Sequence, residues 1–124
     1  MSNKEKLHEA FGELLYVLAK ADGIVQQEEV DALHEIVRSH PWAQEIEWSF
    51  DYELNHNNDI DYLYKRVMDI CYENGPDPEY VFLTEVLEKL AAAHGGVSDS
   101  EREIINKFTT ELTERFRKDI DKIE

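Results

Sequence analysis

Five histidines, one cysteine and 28 acidic side chains are the groups in this chain that could hold a metal or move a proton. His8-Glu9 and His34-Glu35 each begin the His-Glu-x-x-His zinc pattern, in which two histidines share one helix face and the glutamate acts as base. The second histidine is missing both times, because Gly12 and Arg38 stand in its place. Both pairs are therefore expected at exposed helix positions. Asp22-Gly23-Ile24-Val25 with Glu29 looks like the closing half of a calcium-binding loop, with Gly23 at its sharp turn and Glu29 as its bidentate ligand. The opening ligands would then be Leu18 and Lys20, which cannot coordinate calcium, and Leu90 and Ala92 fail in the same way further along. Cys71 falls on the apolar stripe of Val67-Met68-Asp69-Ile70-Cys71, where a lone thiol is expected to be a small core residue. The chain has no glycine-rich phosphate loop and no nucleophile elbow. Carboxylate pairs are abundant in so acidic a chain, so none singles out an acid–base couple, and no enzyme is expected.

The totals narrow the classes further. A chain of 124 residues has the size of a single domain, and 42% hydrophobic residues suffice for a core. The formal net charge is −15, from 28 acidic against 13 basic residues. Such a surface repels phosphate backbones and anionic membranes, and there is no basic stripe to neutralise them. Nucleic acid is thus not an expected partner, whereas cations and basic proteins are. One cysteine excludes an intrachain disulfide and suits a reducing compartment. The opening segment has no secretory apolar core, and the longest clean apolar run, Leu14 to Ala19, is too short to span a bilayer. These features predict a cytoplasmic protein without membrane insertion.

Helical periodicity must supply the scaffold. Leu7, Phe11, Leu14, Leu18 and Ala21 alternate in steps of four and three, predicting a helix over about 4–21, with Gly23 as a left-handed cap. Val30, Leu33, Ile36 and Val37 mark a second helix ending near Ser39, before Pro41. Pro41 is expected to open a third helix carrying Trp42, Ile46, Phe50 and Leu54. Asp59 is placed to cap a fourth with Ile60, Leu63, Val67 and Ile70 inward, and Gly75-Pro76-Asp77-Pro78 ends it. Phe82, Val86, Leu90 and Ala93 share a face of a fifth helix, which stops at Gly95-Gly96. Ser98-Asp99-Ser100-Glu101 reads as a capping box before a last helix with Ile105, Phe108, Leu112, Phe116 and Ile120. No segment has the alternation of a strand. The expected fold is all-α, a compact bundle of about six or seven helices.

The sequence also repeats. A shift of 72 residues places Leu15, Leu18, Ala19, Ala21, Gly23, Val25 and Glu29 on Leu87, Leu90, Ala91, Ala93, Gly95, Val97 and Glu101 without a gap. Two helix-turn-helix hairpins related by a pseudo-twofold follow from residues 15–29 and 87–101. The first copy, Leu15 to Glu29, resembles the tellurite-resistance TerB-like family, whose hallmark is an apolar helix ending in Ala-Asp-Gly, an aliphatic residue two positions on and a Glu six positions on. A looser second copy belongs to that hallmark, and Ala93 to Glu101 takes its place. The resemblance covers both hairpins, and the central helices match in pattern only. It implies a single all-helical domain over 1–124 and an acidic cluster with a divalent-metal role, in a family linked to stress from tellurite and other agents. Asp22 and Glu29 match the first copy and Glu101 the second, but His94 stands where the second copy would carry Asp. A His/Glu pair suits a transition metal better than calcium or magnesium. His40-Pro41-Trp42 is similar to the J-domain tripeptide, but Trp replaces its Asp and no J-domain helix surrounds it.

Two readings of these turns follow. In one, Asp22, Glu29, His94 and Glu101 hold a divalent metal ion of unspecified identity, with Glu28 and Asp99 near enough in sequence to assist. In the other they build the turns, Glu29 and Glu101 accepting N–H groups at the next helix start and Asp22 bonding the turn backbone. The aromatics from Trp42 to Phe82 crowd the middle of the chain, and several exposed together would mark a partner groove. The leading expectation is a TerB-like binding module that responds to a divalent metal and acts with a protein partner. Its rivals are a metal-free interaction scaffold and, last, a metal-dependent hydrolase.

Overall fold

A computed structural model describes residues 3–21, 23, 25–56, 58–75, 77–93 and 98–123, with side chains from 4 to 115 within those spans. Six helices follow one another: α1 (Asn3–Lys20), α2 (Gln27–Val37), α3 (Ala43–His56), α4 (Ile60–Asn74), α5 (Glu79–Ala92) and α6 (Asp99–Ile123). The described residues contain no strand, so the fold is the all-α bundle that the periodicity requires.

Helix α1 is the centre of the bundle. Leu7 and every residue from 10 to 19 are buried, so only the first turns of the helix keep a solvent face. A helix apolar on all sides must be surrounded, and α1 packs against α3, α4, α5 and α6. Each large aliphatic or aromatic side chain withdrawn from water there contributes roughly 1.5–3 kcal/mol. The contact with α3 is close because Gly12 has no side chain. A Cβ at Gly12 would lie 2.4 Å from the Ile46 carbonyl oxygen and 2.8 Å from Ser49 Cβ. Ser49 Oγ uses the proximity to donate a 2.6 Å hydrogen bond to the Glu9 carbonyl.

The outer helices pack crosswise between the repeats. Helix α2 of the first hairpin lies on α5 of the second, and α6 of the second touches α1 of the first. Helix α2 also meets α3, as α6 meets α4. The α4–α6 contact is amphipathic: Tyr64 donates to Glu111 Oε2 at 2.9 Å while the Lys107 ammonium lies 4.6 Å from the Tyr64 ring centre. A bidentate pair at 2.7 and 3.0 Å, Arg102 to Glu88, ties α6 to α5. Cys71 is fully buried in the core, and burial pushes its thiol up to about 12 despite a hydrogen bond with Tyr80.

Three expectations need correction. Pro41 does not open α3; it sits with Trp42 in a turn, and the helix begins at Ala43. The His40 side chain accepts the Trp42 N–H at 3.0 Å, which fixes a turn where a helix start was expected. His8 is not at an exposed position but fully buried, whereas His34 does keep part of its surface. Ala93 is exposed, since α5 ends one residue earlier and the chain is already turning.

Candidate functional site

The two repeated corners have the same build where both are described. Helices α1 and α5 stop at Lys20 and Ala92, and α2 and α6 start at Gln27 and Asp99, so both boundaries keep the 72-residue shift. Gly23 has φ +101°, the left-handed backbone that its position after α1 demands. Glu29 and Glu101 are both buried. One carboxylate oxygen of Glu29 accepts the Gln26 N–H at 3.0 Å, and one of Glu101 accepts the Ser98 N–H at the same distance. Ser98 Oγ completes the second box by accepting the Glu101 N–H at 3.1 Å. Both carboxylates thus satisfy amides that the first helical turn leaves without partners, and they sit at the positive end of the helix dipole. Asp22 and His94, the other two residues of the expected metal set, lie outside the described residues.

A different cluster assembles near the start of α1, away from the corner that follows Lys20. His8 comes from α1, His40 from the turn between α2 and α3, and Glu79 from the first residue of α5. His8 Nε2 and His40 Nε2 each lie 2.8 Å from Glu79 Oε1, and the three atoms are all within 4.8 Å of one another. Aromatic rings wall the group. Trp42 stacks on His8 with ring centres 5.1 Å apart, Phe82 stacks on His40 at 4.2 Å, and Phe11 meets His8 edge-on at 5.0 Å. Asp77 holds the start of α5 by accepting the Glu79 N–H at 3.0 Å, and it also pairs with Lys4. Burial pushes the Glu79 carboxyl up, but the hydrogen bond from His8 and the charge and hydrogen bond of His40 outweigh it and hold the group below its usual range. This cluster is the one group of three or more metal-capable side chains among the described residues. His8 and His40 each stood out in the sequence as halves of other motifs; Glu79 did not. Only the packing of α5 on α1 and α2 brings it to them.

A third region lies on α3. Trp48, Tyr52 and His56 recur every fourth residue, so they line one helix face. Their rings form a ladder, with centres 5.6 Å apart for Trp48–Tyr52 and 3.8 Å for Tyr52–His56. Trp48 is 60% exposed and Tyr52 42%. Beside the ladder, Glu5, Glu9, Gln44, Glu45 and Trp48 line an open cleft of about 420 Å³ between α1 and α3. Burial and the charges of Glu5 and Glu45 raise the Glu9 carboxyl above its usual range, against the pull of Arg66. One turn further along α1, burial raises the Glu13 carboxyl to about 7, with Arg66 opposing and Glu53 and Glu9 adding to the rise.

Comparison of the chain with family models, with curated proteins and with solved structures gives no match. No helix among the described residues is long and apolar enough to cross a membrane.

Proposed function

We propose that this chain is a non-catalytic binding module whose α1–α3 face docks a basic segment of a partner protein. The observation that carries the reading is the exposed Trp48–Tyr52 ladder directly beside the carboxylates of Glu5, Glu9 and Glu45. Large aromatic rings left in water are the residues that most often anchor protein interfaces. Three carboxylates crowded into one cleft repel each other, and a lysine or arginine placed among them relieves that repulsion. The Trp48 face offers such a cation a further ~0.5–1 kcal/mol. The net charge of −15 steers basic partners toward the whole surface; the ladder is what would make one face specific. The duplicated corner keeps the TerB-like resemblance as our reading of the module's class, with a stress-related role as part of that proposal.

The test uses a short lysine-rich helical peptide with leucines along one side, and the same peptide with glutamates for lysines. The basic peptide is expected to shift the Trp48 emission and to bind more weakly as salt rises. The acidic peptide should not bind. Trp48→Ala should weaken binding by about tenfold or more, as loss of an aromatic anchor does. Equal binding to Trp48→Ala and to the unaltered chain would reduce the interaction to general charge attraction and overturn the proposal.

A further inference from the structure

We infer that His8, His40 and Glu79 form a site for a borderline divalent transition ion, of which zinc is the type, distinct from the α1–α3 docking face. His8 Nδ1 lies 2.7 Å from the Lys4 carbonyl oxygen, which can only accept, so Nδ1 carries a hydrogen. His8 Nε2 faces the Glu79 carboxylate at 2.8 Å. His40 is arranged the other way round. Its Nδ1 accepts the Trp42 N–H, so its own hydrogen is on Nε2 and also points at Glu79 Oε1. A single carboxylate oxygen of Glu79 therefore faces the Nε2 atoms of both histidines. Three ligand-type atoms converge, all within 4.8 Å of one another.

A divalent ion can take that place. Zinc bonds nitrogen and oxygen at about 2.0–2.2 Å, so tetrahedral donors sit about 3.3 Å apart. The present 2.8 Å contacts need to open by about half an ångström. His8 is already prepared, since a ligating imidazole donates its other N–H to a carbonyl or carboxylate, as Nδ1 does to Lys4. Two imidazoles and one carboxylate suit zinc, cobalt or nickel, and an all-oxygen ion such as calcium or magnesium is disfavoured. The rings of Trp42 and Phe82, stacked on the imidazoles, and of Phe11, edge-on to His8, keep water from competing on their side.

The exchange has a cost at one named bond. Binding through His8 Nε2 keeps the Nδ1 hydrogen on the Lys4 carbonyl. Binding through His40 Nε2 requires its hydrogen to move to Nδ1, because imidazole cannot give both nitrogens as lone pairs without becoming an anion. Nδ1–H then cannot accept the Trp42 N–H. Metal and the His40–Trp42 turn bond exclude each other, so loading the site loosens the turn between α2 and α3.

The test titrates cobalt(II) into the full chain and follows its visible ligand-field absorption together with the Trp42 backbone amide signal. Absorption saturating at one equivalent is expected, displaced by zinc and not by a large excess of magnesium or calcium. Glu79→Gln and His40→Gln should each weaken it by about tenfold or more, a loss on the scale seen for weakened metal sites. Glu29→Gln and Trp48→Ala should leave it unchanged, which keeps this outcome separate from the docking face. The Trp42 amide should shift and exchange faster on loading. No absorption, or absorption that survives Glu79→Gln and His40→Gln and disappears with Glu29→Gln, overturns the site. Absorption with an unmoved Trp42 amide overturns the turn exchange. Circular dichroism of each variant checks that it remains helical, and Glu79, the most exposed of the three, is the substitution least able to unfold the chain.

Discussion

At the two glycine corners a buried carboxylate meets a backbone N–H three residues before it, whereas at the histidine cluster a carboxylate meets imidazoles 39 and 71 residues away. The corners are local devices. Everything Glu29 and Glu101 do for their own helix starts is encoded within one turn, which is why the sequence could repeat the device after 72 residues. The histidine cluster exists only when α1, the α2–α3 turn and α5 have come together, and nothing among the described residues of the second half copies it. A group held by its own turn depends on few other parts of the fold. A group satisfied by distant partners reports on, and can be altered by, whatever changes their spacing.

The largest effect that would break this comparison lies at Gly12. Gly12→Ala drives a Cβ into the Ile46 carbonyl, which is backbone and cannot rotate away. A loss of ~3 kcal/mol or more is expected in urea denaturation. Because Gly12 is one turn from His8, cobalt absorption should fall with it, while the capped starts of α2 and α6 are untouched. A variant as stable as the original would show that α1 and α3 can separate freely.

Glu13 gives the next effect, as a buried carboxylate with neither a cap nor a histidine. Arg66 approaches it at 3.5 Å. Its folded-state value, raised from 4.5 to about 7, means the folded chain holds a proton that the unfolded chain has released between those values. The associated stability is complete below the unfolded value and is lost as pH rises through the folded one. Between about pH 5 and about pH 8 the chain should lose roughly 2–3 kcal/mol from this group. Glu13→Gln should flatten that slope, and an unflattened slope would assign it elsewhere.

The corners themselves sharpen the comparison. Glu29→Ala and Glu101→Ala should each cost ~1 kcal/mol in thermal or urea unfolding. Equal losses would make the two corners energetic as well as geometric copies, and a much larger loss at one would show a duty beyond capping. Smallest of all is the stability effect of Trp48→Ala, within about 0.5 kcal/mol because its ring is mostly in water. Its consequence belongs to binding.

These regions also mark what the sequence made legible. Leu7, Phe11, Leu14 and Leu18 named the buried face of α1, and the described helix boundaries that the sequence marked, the start of α3 included, fell within about two residues of expectation. Ser98 to Glu101 announced its cap because the signal and the bond it makes lie in the same turn. Pro41 misled, since its preference for a first helical turn lost to the bond between His40 and the Trp42 amide. His8 misled more. A histidine beside an apolar stripe reads as exposed unless a partner is known, and its partners Trp42 and Glu79 are supplied by tertiary packing. The crowding of aromatics in the middle of the chain was visible in the sequence; that Trp48 and Tyr52 stay in water while Phe50 between them is buried depends on how α3 rolls against α1.

Cys71 gives the molecule an internal reporter. A thiol sealed in the core and reluctant to ionise cannot meet an alkylating reagent until the helices around it part. The chain therefore carries its own stopwatch for breathing: the rate at which that sulfur is capped counts how often the bundle opens, with no label added and no residue changed.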